Sequence, residues 1–232
     1  MAENTASDSP SHDARQRAHV EPGGPFWLDH LGTAIVRKGS VSEMDNNAYL
    51  ITCRRGGEQL LIDAAAEPDR LRDLVAAGSG RLDVLVTTHR HWDHHRALGQ
   101  MVEHYSPRTA AGEADAAELP VTPDVALDHG DQISVGDLTL DVVALRGHTP
   151  GSVALALTDG AGRVHLFTGD SLFPGGPGKT PDAAAFTSLM DDLESRVFDV
   201  YPDNTVVHPG HGDSTTIGAE RPHLTTWRDR GW

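Results

Sequence analysis

Residues Thr87–Gly99 read "TTHRHWDHHRALG", and inside them His89, His91, Asp93, His94 and His95 fall within seven positions. Zinc and similar ions take imidazole nitrogen and carboxylate oxygen, and a catalytic site keeps one position open for water. His89 and His91 stand two apart, so in an extended segment or a tight loop both rings reach one ion. Asp93 and His94 are adjacent, at the expected start of a following helix, where they could serve a second ion. Four ligands are too few for two ions. Three later segments offer more: "LRGHTPGS" carries His148, "LFTGDSLF" carries Asp170, and "VVHPGHG" carries His211 with His208 three residues earlier. Each follows an apolar run and sits in a turn, the position from which a strand delivers a ligand to a shared edge. At Asp170 a carboxylate could bridge two cations.

The elements that must bring these groups together are legible as short apolar runs. "GTAIVRK", "NAYLITC", "QLLIDA", "LDVLVTT", "LTLDVVALR", "GSVALALT", "RVHLFTG" and "NTVVHPGHG" read as strands bounded by Gly, Pro and Asp turns. "EPDRLRDLVAAG" has helical spacing, with Gly78 placed to end it. "DHHRALGQMVEHY" puts Ala97, Leu98, Met101 and Val102 on one helical face. "TPDAAAFTSLMDDLESRVF" is the clearest helix, with Thr180 as its cap and Pro181 at the first helical position. Strands come first and then interleave with helices, which predicts an α/β arrangement of packed sheets with helices outside. Residues 1–24 are polar and lack apolar periodicity, so they read as a disordered tail before one domain over residues 25–232.

Composition narrows the function. Lys+Arg 19 against Asp+Glu 34 gives a net charge of −15, a surface that repels phosphate backbones, so nucleic acid is not an expected partner. No apolar run approaches the roughly 20 residues of a membrane span, and the N-terminus lacks the apolar core of a secretory signal. A cytoplasmic protein is expected, with no membrane partner. The single cysteine, Cys53, lies in the "NAYLITC" strand and reads as a small buried hydrophobe.

In order along the chain, His89, His91, Asp93, His94, His148, Asp170 and His211 match the motifs of the metallo-β-lactamase-fold hydrolases. The contexts "DNNAYLI", "GHTPGS" and "TGDSLF" are similar to glyoxalase II-like (hydroxyacylglutathione hydrolase-like) members. The resemblance runs from about Gly32 to Gly212. It implies a four-layer αββα sandwich with metals at one edge of the two sheets. It further implies that His89, His91 and His148 bind one ion, that Asp93, His94 and His211 bind another, and that Asp170 bridges them. The ions would be divalent, Zn2+ foremost, with Fe and Mn as alternatives. Two such ions about 3.5–4 Å apart hold a bridging water and lower its pKa towards neutrality. The resulting hydroxide would attack a small acyl substrate, a thiolester above all, with Asp93 as proton acceptor.

Substrate choice is assigned to "DSLFPGGPGKTPD". Gly175, Gly176 and Gly178 permit close backbone approach, and Lys179 could meet a carboxylate or phosphate, as a basic residue after a similar loop does in glyoxalase II-like proteins. The same stretch reads equally as a turn before a capped helix with a solvated lysine. His208 reads as a loop-structuring residue or a group that orients a ligand, and Trp92 as packing. Only Gly212–Trp232 follow His211, less than the helical C-terminal extension of long-form glyoxalase II. A thiol other than glutathione, or a leaving group that is not a thiol, is therefore expected. The alternatives are a mononuclear iron persulfide dioxygenase, a lactone or β-lactam hydrolase, and a non-catalytic metal-binding module. The oligomeric state is open.

Overall fold

Strands that are apolar on both faces must be covered on both faces. The computed structural model, which describes residues 18–231, shows how. One sheet runs β1 (Trp27–His30), β2 (Ala34–Val41), β3 (Asn46–Cys53), β4 (Gln59–Ile62), β5 (Val84–Thr87), β6 (Arg108–Gly112) and β7 (Val125–Leu127) in spatial order. Its first four strands are antiparallel and β4 to β7 are parallel. The second sheet contains β8 (Gln132–Val135), β9 (Leu138–Ala144), β10 (Val153–Thr158) and β11 (Val164–Gly169). After a two-stranded ribbon of β12 (Leu172–Phe173) and β13 (Gly176–Pro177), it is completed by β14 (Val206–Pro209) and β15 (Thr215–Thr216).

Alternation divides the apolar residues into three layers of core. Tyr49, Ile51, Leu60, Ile62, Val84 and Val86 point inward against Leu140, Val142, Leu155 and Phe167 of the other sheet. Their neighbours Leu50, Leu61 and Leu85 point outward against α1 (Pro68–Ala76) and α2 (Leu98–Tyr105). On the far side, Val143, Leu166 and Val207 meet Phe186, Leu189 and Leu193 of α3 (Ala183–Leu193), with Trp227 beside them. Helix, sheet, sheet, helix is the expected four-layer αββα order. Cys53 is buried in β3 as expected. No helix among the described residues is long and apolar enough to cross a membrane.

Several local expectations give way to tertiary detail. Asp182, not Thr180, caps α3, its carboxylate accepting from Ala185 N at 2.8 Å. A carboxylate with an extended backbone is as good a cap as a hydroxyl, and Pro181 consequently lies before the cap. Gly78 follows α1, but its φ is ordinary; it is glycine because a Cβ there would overlap Gln59 Oε1. Of the residues read as a tail, 1–17 lie outside the described residues. Ala18 and Val20 are buried, so packing begins before residue 25. The helical pair α4 (Ile217–Glu220) and α5 (Leu224–Arg230) and strands β1 and β6 to β8 have no counterpart in the sequence reading.

His208 lies on β14 inside the core. It stacks on Phe167 and His165, meets His165 Nδ1 at 3.1 Å and Ser214 Oγ at 3.0 Å, and touches none of the seven candidate ligands. Its structural role is in the sheet, and the ligand-orienting alternative falls. Burial, aided by His165 and Lys38, holds its pKa well below the ordinary 6.5. Above pH 6.5 its contribution to stability is complete. Below that value the unfolded chain takes up a proton that the folded chain refuses, and stability falls by up to about 1.4 kcal/mol per pH unit. In His208→Gln, which keeps a partner for Ser214, urea unfolding between pH 6.5 and 5 is expected to lose about one proton's worth of this slope. An unchanged slope would contradict the assignment.

Candidate metal centre

β9 and β11 are both antiparallel to β10, and β14 is parallel to β11. Three strands of one sheet therefore end at the same edge, and the loops leaving them carry His148, Asp170 and His211. The other sheet sends β5 into the segment 88–95. Here the chain makes a separate 3-10 turn at Trp92–His94, with His94 N donating to His91 O at 2.9 Å, before α2 begins at Leu98. Asp93 and His94 thus sit in that turn and not at the start of the helix. Glycines allow the loops to close in: a Cβ on Gly147 would meet the backbone of α3, one on Gly169 would meet Thr88, and one on Gly210 would overlap Asp170 Oδ1.

The result brings all seven candidate residues together. Donor atoms of His89, His91 and His148 lie within 4.8 Å of one another, and so do those of Asp93, His94 and His211. Asp170 lies between the two groups: Oδ2 is 3.6 Å from His148 Nε2 and 3.4 Å from His211 Nε2, while Oδ1 is 3.3 Å from His94 Nε2. Outward-facing atoms are anchored. His94 Nδ1 is 2.8 Å from Asp63 Oδ2, and His89 Nδ1 is 3.0 Å from Thr88 Oγ1. His148 Nδ1 donates to Lys179 O at 2.6 Å and His211 Nδ1 to Met44 O at 2.8 Å. Asn46 Nδ2 donates to Asp93 Oδ2 at 3.0 Å. Such anchoring fixes ring orientation and leaves the other nitrogen for a ligand role. Inside, His89 Nε2, His148 Nε2 and Asp170 Oδ1 are buried with no hydrogen bond. Buried polar atoms are seldom left so, and converging nitrogen and carboxylate donors fit divalent cations.

The two halves differ electrostatically. Burial pushes the pKa of His89 well below 6.5 and lowers those of His91 and His148, so this trio is neutral and ready to donate lone pairs. In the other half burial opposes charge on His94, but Asp63 and Asp170 hold it up to about 10. His211 is likewise raised to about 10 against burial, by Asp170 and Asp93. Burial works against ionisation of Asp170 and Asp93 too, yet their histidine neighbours keep both below the usual carboxylate range. His94 Nε2 and His211 Nε2 lie 3.2 Å apart, both facing the Asp170 carboxylate.

Two buried carboxylates were not singled out in the sequence. Asp63, in left-handed backbone (φ 60°) after β4, accepts from Thr88 N at 2.7 Å and Thr88 Oγ1 at 2.8 Å as well as meeting His94. The rule that singled out Asp170, a carboxylate closing an apolar strand, would have found it in "LLID". Asp115 accepts from Arg90 N and Gly151 N, both at 2.9 Å, and from Thr149 Oγ1, so one side chain joins the His89–His94 loop to the His148 loop. Nothing in "EADAAE" marks it. Asp115→Ala removes the one acceptor that Arg90 N, Gly151 N and Thr149 Oγ1 share, leaving Thr149 only Ser152 Oγ, and is expected to destabilise by about 2–3 kcal/mol, with weakened metal uptake. Urea unfolding paired with metal titration checks both, and a wild-type value in each would contradict the role.

A cavity of about 640 Å³ opens at His91 and His148, lined also by Arg90, Arg146, Lys179 and Ser188. Arg90 pairs with Glu118 and Arg146 with Asp192. Lys179 is exposed at this cavity with no ion-pair partner among the described residues. Gly176 is elsewhere, buried beside Trp227 and Arg230 of α5, and its φ of +154° is what calls for glycine there, not the cavity. Gly178 is the close-approach glycine, since a Cβ there would overlap Asp170 O. Trp92 is 57% exposed with Arg96 stacked 4.6 Å over its ring, which overturns its reading as packing.

A family model described as "Metallo-beta-lactamase superfamily" matches residues 41–211. The chain is 35% identical over 173 residues to a hydroxyacylglutathione hydrolase of Ruegeria pomeroyi, covering 72% of this chain and 62% of that protein. It is 27% identical to a probable polyketide biosynthesis zinc-dependent hydrolase, BaeB, of Bacillus velezensis, over 85% of this chain and 86% of the other. The crystal structure of ETHE1 from Myxococcus xanthus superimposes with a TM-score of 0.72 at 32% identity over 82% of each chain. The chain thus spans about three fifths of the hydroxyacylglutathione hydrolase it matches.

Proposed function

The chain belongs to the metallo-beta-lactamase superfamily of metal-dependent hydrolases, and from that premise we propose that it is a two-metal hydrolase of small acyl substrates, thiolesters foremost. His89, His91 and His148 would hold one divalent ion and Asp93, His94 and His211 the other, with Asp170 placed between the two groups. The observation that carries this reading is Asp170 itself, whose two oxygens lie within 3.3–3.6 Å of one histidine of the first trio and two of the second. Bound zinc ions supply Lewis acidity and lower the pKa of water they hold towards neutrality.

The chain's own groups do the rest. Asp93, fixed by Asn46, takes up the proton released as the acyl carbon is attacked. Backbone carbonyls of Met44 and Lys179 keep the His211 and His148 rings turned with Nε2 towards Asp170. The cavity beside His91 and His148 receives the leaving thiol, and Lys179 pairs with a carboxylate on it. A named hydroxyacylglutathione hydrolase among the relatives supports the thiolester class.

The test is a panel of thiolesters, lactones, β-lactams and persulfides run beside metal analysis of protein purified without added metal. Thiolester turnover with about two zinc ions per chain is expected. One iron per chain with oxygen uptake on a persulfide would replace the reading with a dioxygenase, and metal without turnover of any substrate would replace it with a binding module.

A further inference from the structure

Lys38 is a charged side chain that neither the metal centre nor the cavity uses, and it is wholly buried on β2. Its Nζ donates to Gly212 O at 2.5 Å and Ala18 O at 2.9 Å, and no carboxylate lies within ion-pairing distance among the described residues. Burial lowers its pKa to about 8 against the pull of Asp45 and Asp213, so it is a cation at neutral pH. An ammonium held only by carbonyls is an expensive group to keep in a core.

Its partner explains its presence. The loop 209–212 carries His211 between two glycines, and Gly212 has φ +65°. Gly210 has to be glycine because Asp170 occupies the space of a Cβ. A loop of this composition has little stiffness of its own. It is held from outside through its carbonyls: Asn47 Nδ2 and Tyr49 OH donate to Pro209 O at 2.9 and 2.8 Å, and Asn47 N donates to Gly210 O at 2.7 Å. Asn47 Nδ2 and Lys38 Nζ then share Gly212 O, at 3.0 and 2.5 Å. Lys38 is the charged donor of the set, and charge-assisted hydrogen bonds are roughly twice as strong as neutral ones. The same ammonium ties down Ala18, and His19 closes the packing through Asp213 Oδ1 at 2.6 Å.

We propose that Lys38 is a positioning residue for His211: by fastening Gly212 it sets the half of the centre formed by Asp93, His94 and His211, without touching a ligand. The His89, His91 and His148 half draws no ligand from 209–212, and its loops are held by Asp115 and Lys179 O, which Lys38 does not touch. The inference rests on the two-metal reading for its consequence, though not for the loop contact itself.

The experiment compares wild type, Lys38→Met and Lys38→Arg by two measurements: cobalt(II) titration followed by visible absorption, and amide hydrogen exchange across residues 209–213. In Lys38→Met the first cobalt should bind as in wild type, the second about 10–100-fold more weakly, with exchange faster in 209–213. Lys38→Arg, which keeps charge and donors, should restore most of both. Leu50→Ala, a core substitution on β3, controls for general destabilisation and should leave the two half-sites equally affected. Unchanged exchange in 209–213 in Lys38→Met would overturn the proposal. If wild type itself takes up one cobalt only, the two-metal reading fails while the exchange measurement still decides the role of Lys38. Should Lys38→Met not fold, Lys38→Gln, neutral but still a donor, takes its place under the same criteria.

Discussion

Asp170→Ala is expected to lower turnover by at least about a thousandfold, equivalent to about 4 kcal/mol of barrier, and to reduce bound zinc from about two ions per chain to one or fewer. The carboxylate is the group that both half-sites share, so no other side chain can replace it. Its loss should spare the fold. Asp170 lies in a loop after β11, outside the three apolar clusters, and its removal also takes away a buried negative charge that burial disfavours. The protonation of the metal-free centre should change with it. His94 and His211 lose a carboxylate neighbour that raises both pKa values, and so should titrate nearer the ordinary imidazole range. Metal analysis, circular dichroism and turnover on the thiolester panel check the three parts. Full activity with undiminished zinc would remove the basis of the two-metal reading.

The ligand residues were legible because each follows an apolar run, and the strand pattern alone implies a common edge once β9, β11 and β14 run the same way. The groups that hold the ligands were far less so. Asn46 stood inside a quoted motif, but its partner Asp93 is 47 residues away and only the fold joins them. Asp115 is one acid among several in a polar stretch, and its role depends on two loops meeting around it. Gly176 and Gly178 look interchangeable in "GGPGK", yet one packs on α5 and the other lets Asp170 O approach. His208 has the imidazole of a ligand and the register of a core residue, and register decided. Among the strands, β6 was missed because "RTAAG" has one β-branched residue, and β1 because four residues at a sheet edge leave too short a pattern. Trp92 shows the opposite failure: size and aromaticity predict burial, while its place between two ligands in a 3-10 turn leaves most of it in solvent.

Stripping the metal with a chelator should abolish turnover without unfolding the chain, and the pH dependence of stability should change sign between the two forms. At a free concentration about a thousand times its Kd, each ion stabilises by about 4 kcal/mol, or roughly 8–16 °C in melting temperature for a domain of this size. The stripped protein stays folded because its three apolar clusters do not depend on the centre, and because His94 and His211, both raised in pKa by the carboxylates beside them, offset those carboxylates. That pair has a folded pKa of about 10, raised above 6.5. Its contribution is complete below pH 6.5 and is lost as pH rises towards 10, by up to about 1.4 kcal/mol per unit for each proton held. Lys38, lowered to about 8, works in the other direction as it loses its proton around that pH, so the clean window is about pH 6.5 to 7.5. Across it the stripped protein should lose stability as pH rises. The zinc-loaded protein should gain, since metal and proton compete for the same nitrogens and less proton means tighter metal. Calorimetric melting of both forms at about pH 6.5, 7.0 and 7.5 measures the difference directly. Parallel curves would mean that the protons on His94 and His211 do not stand where the cation binds, and the assignment of the second half-site would fall.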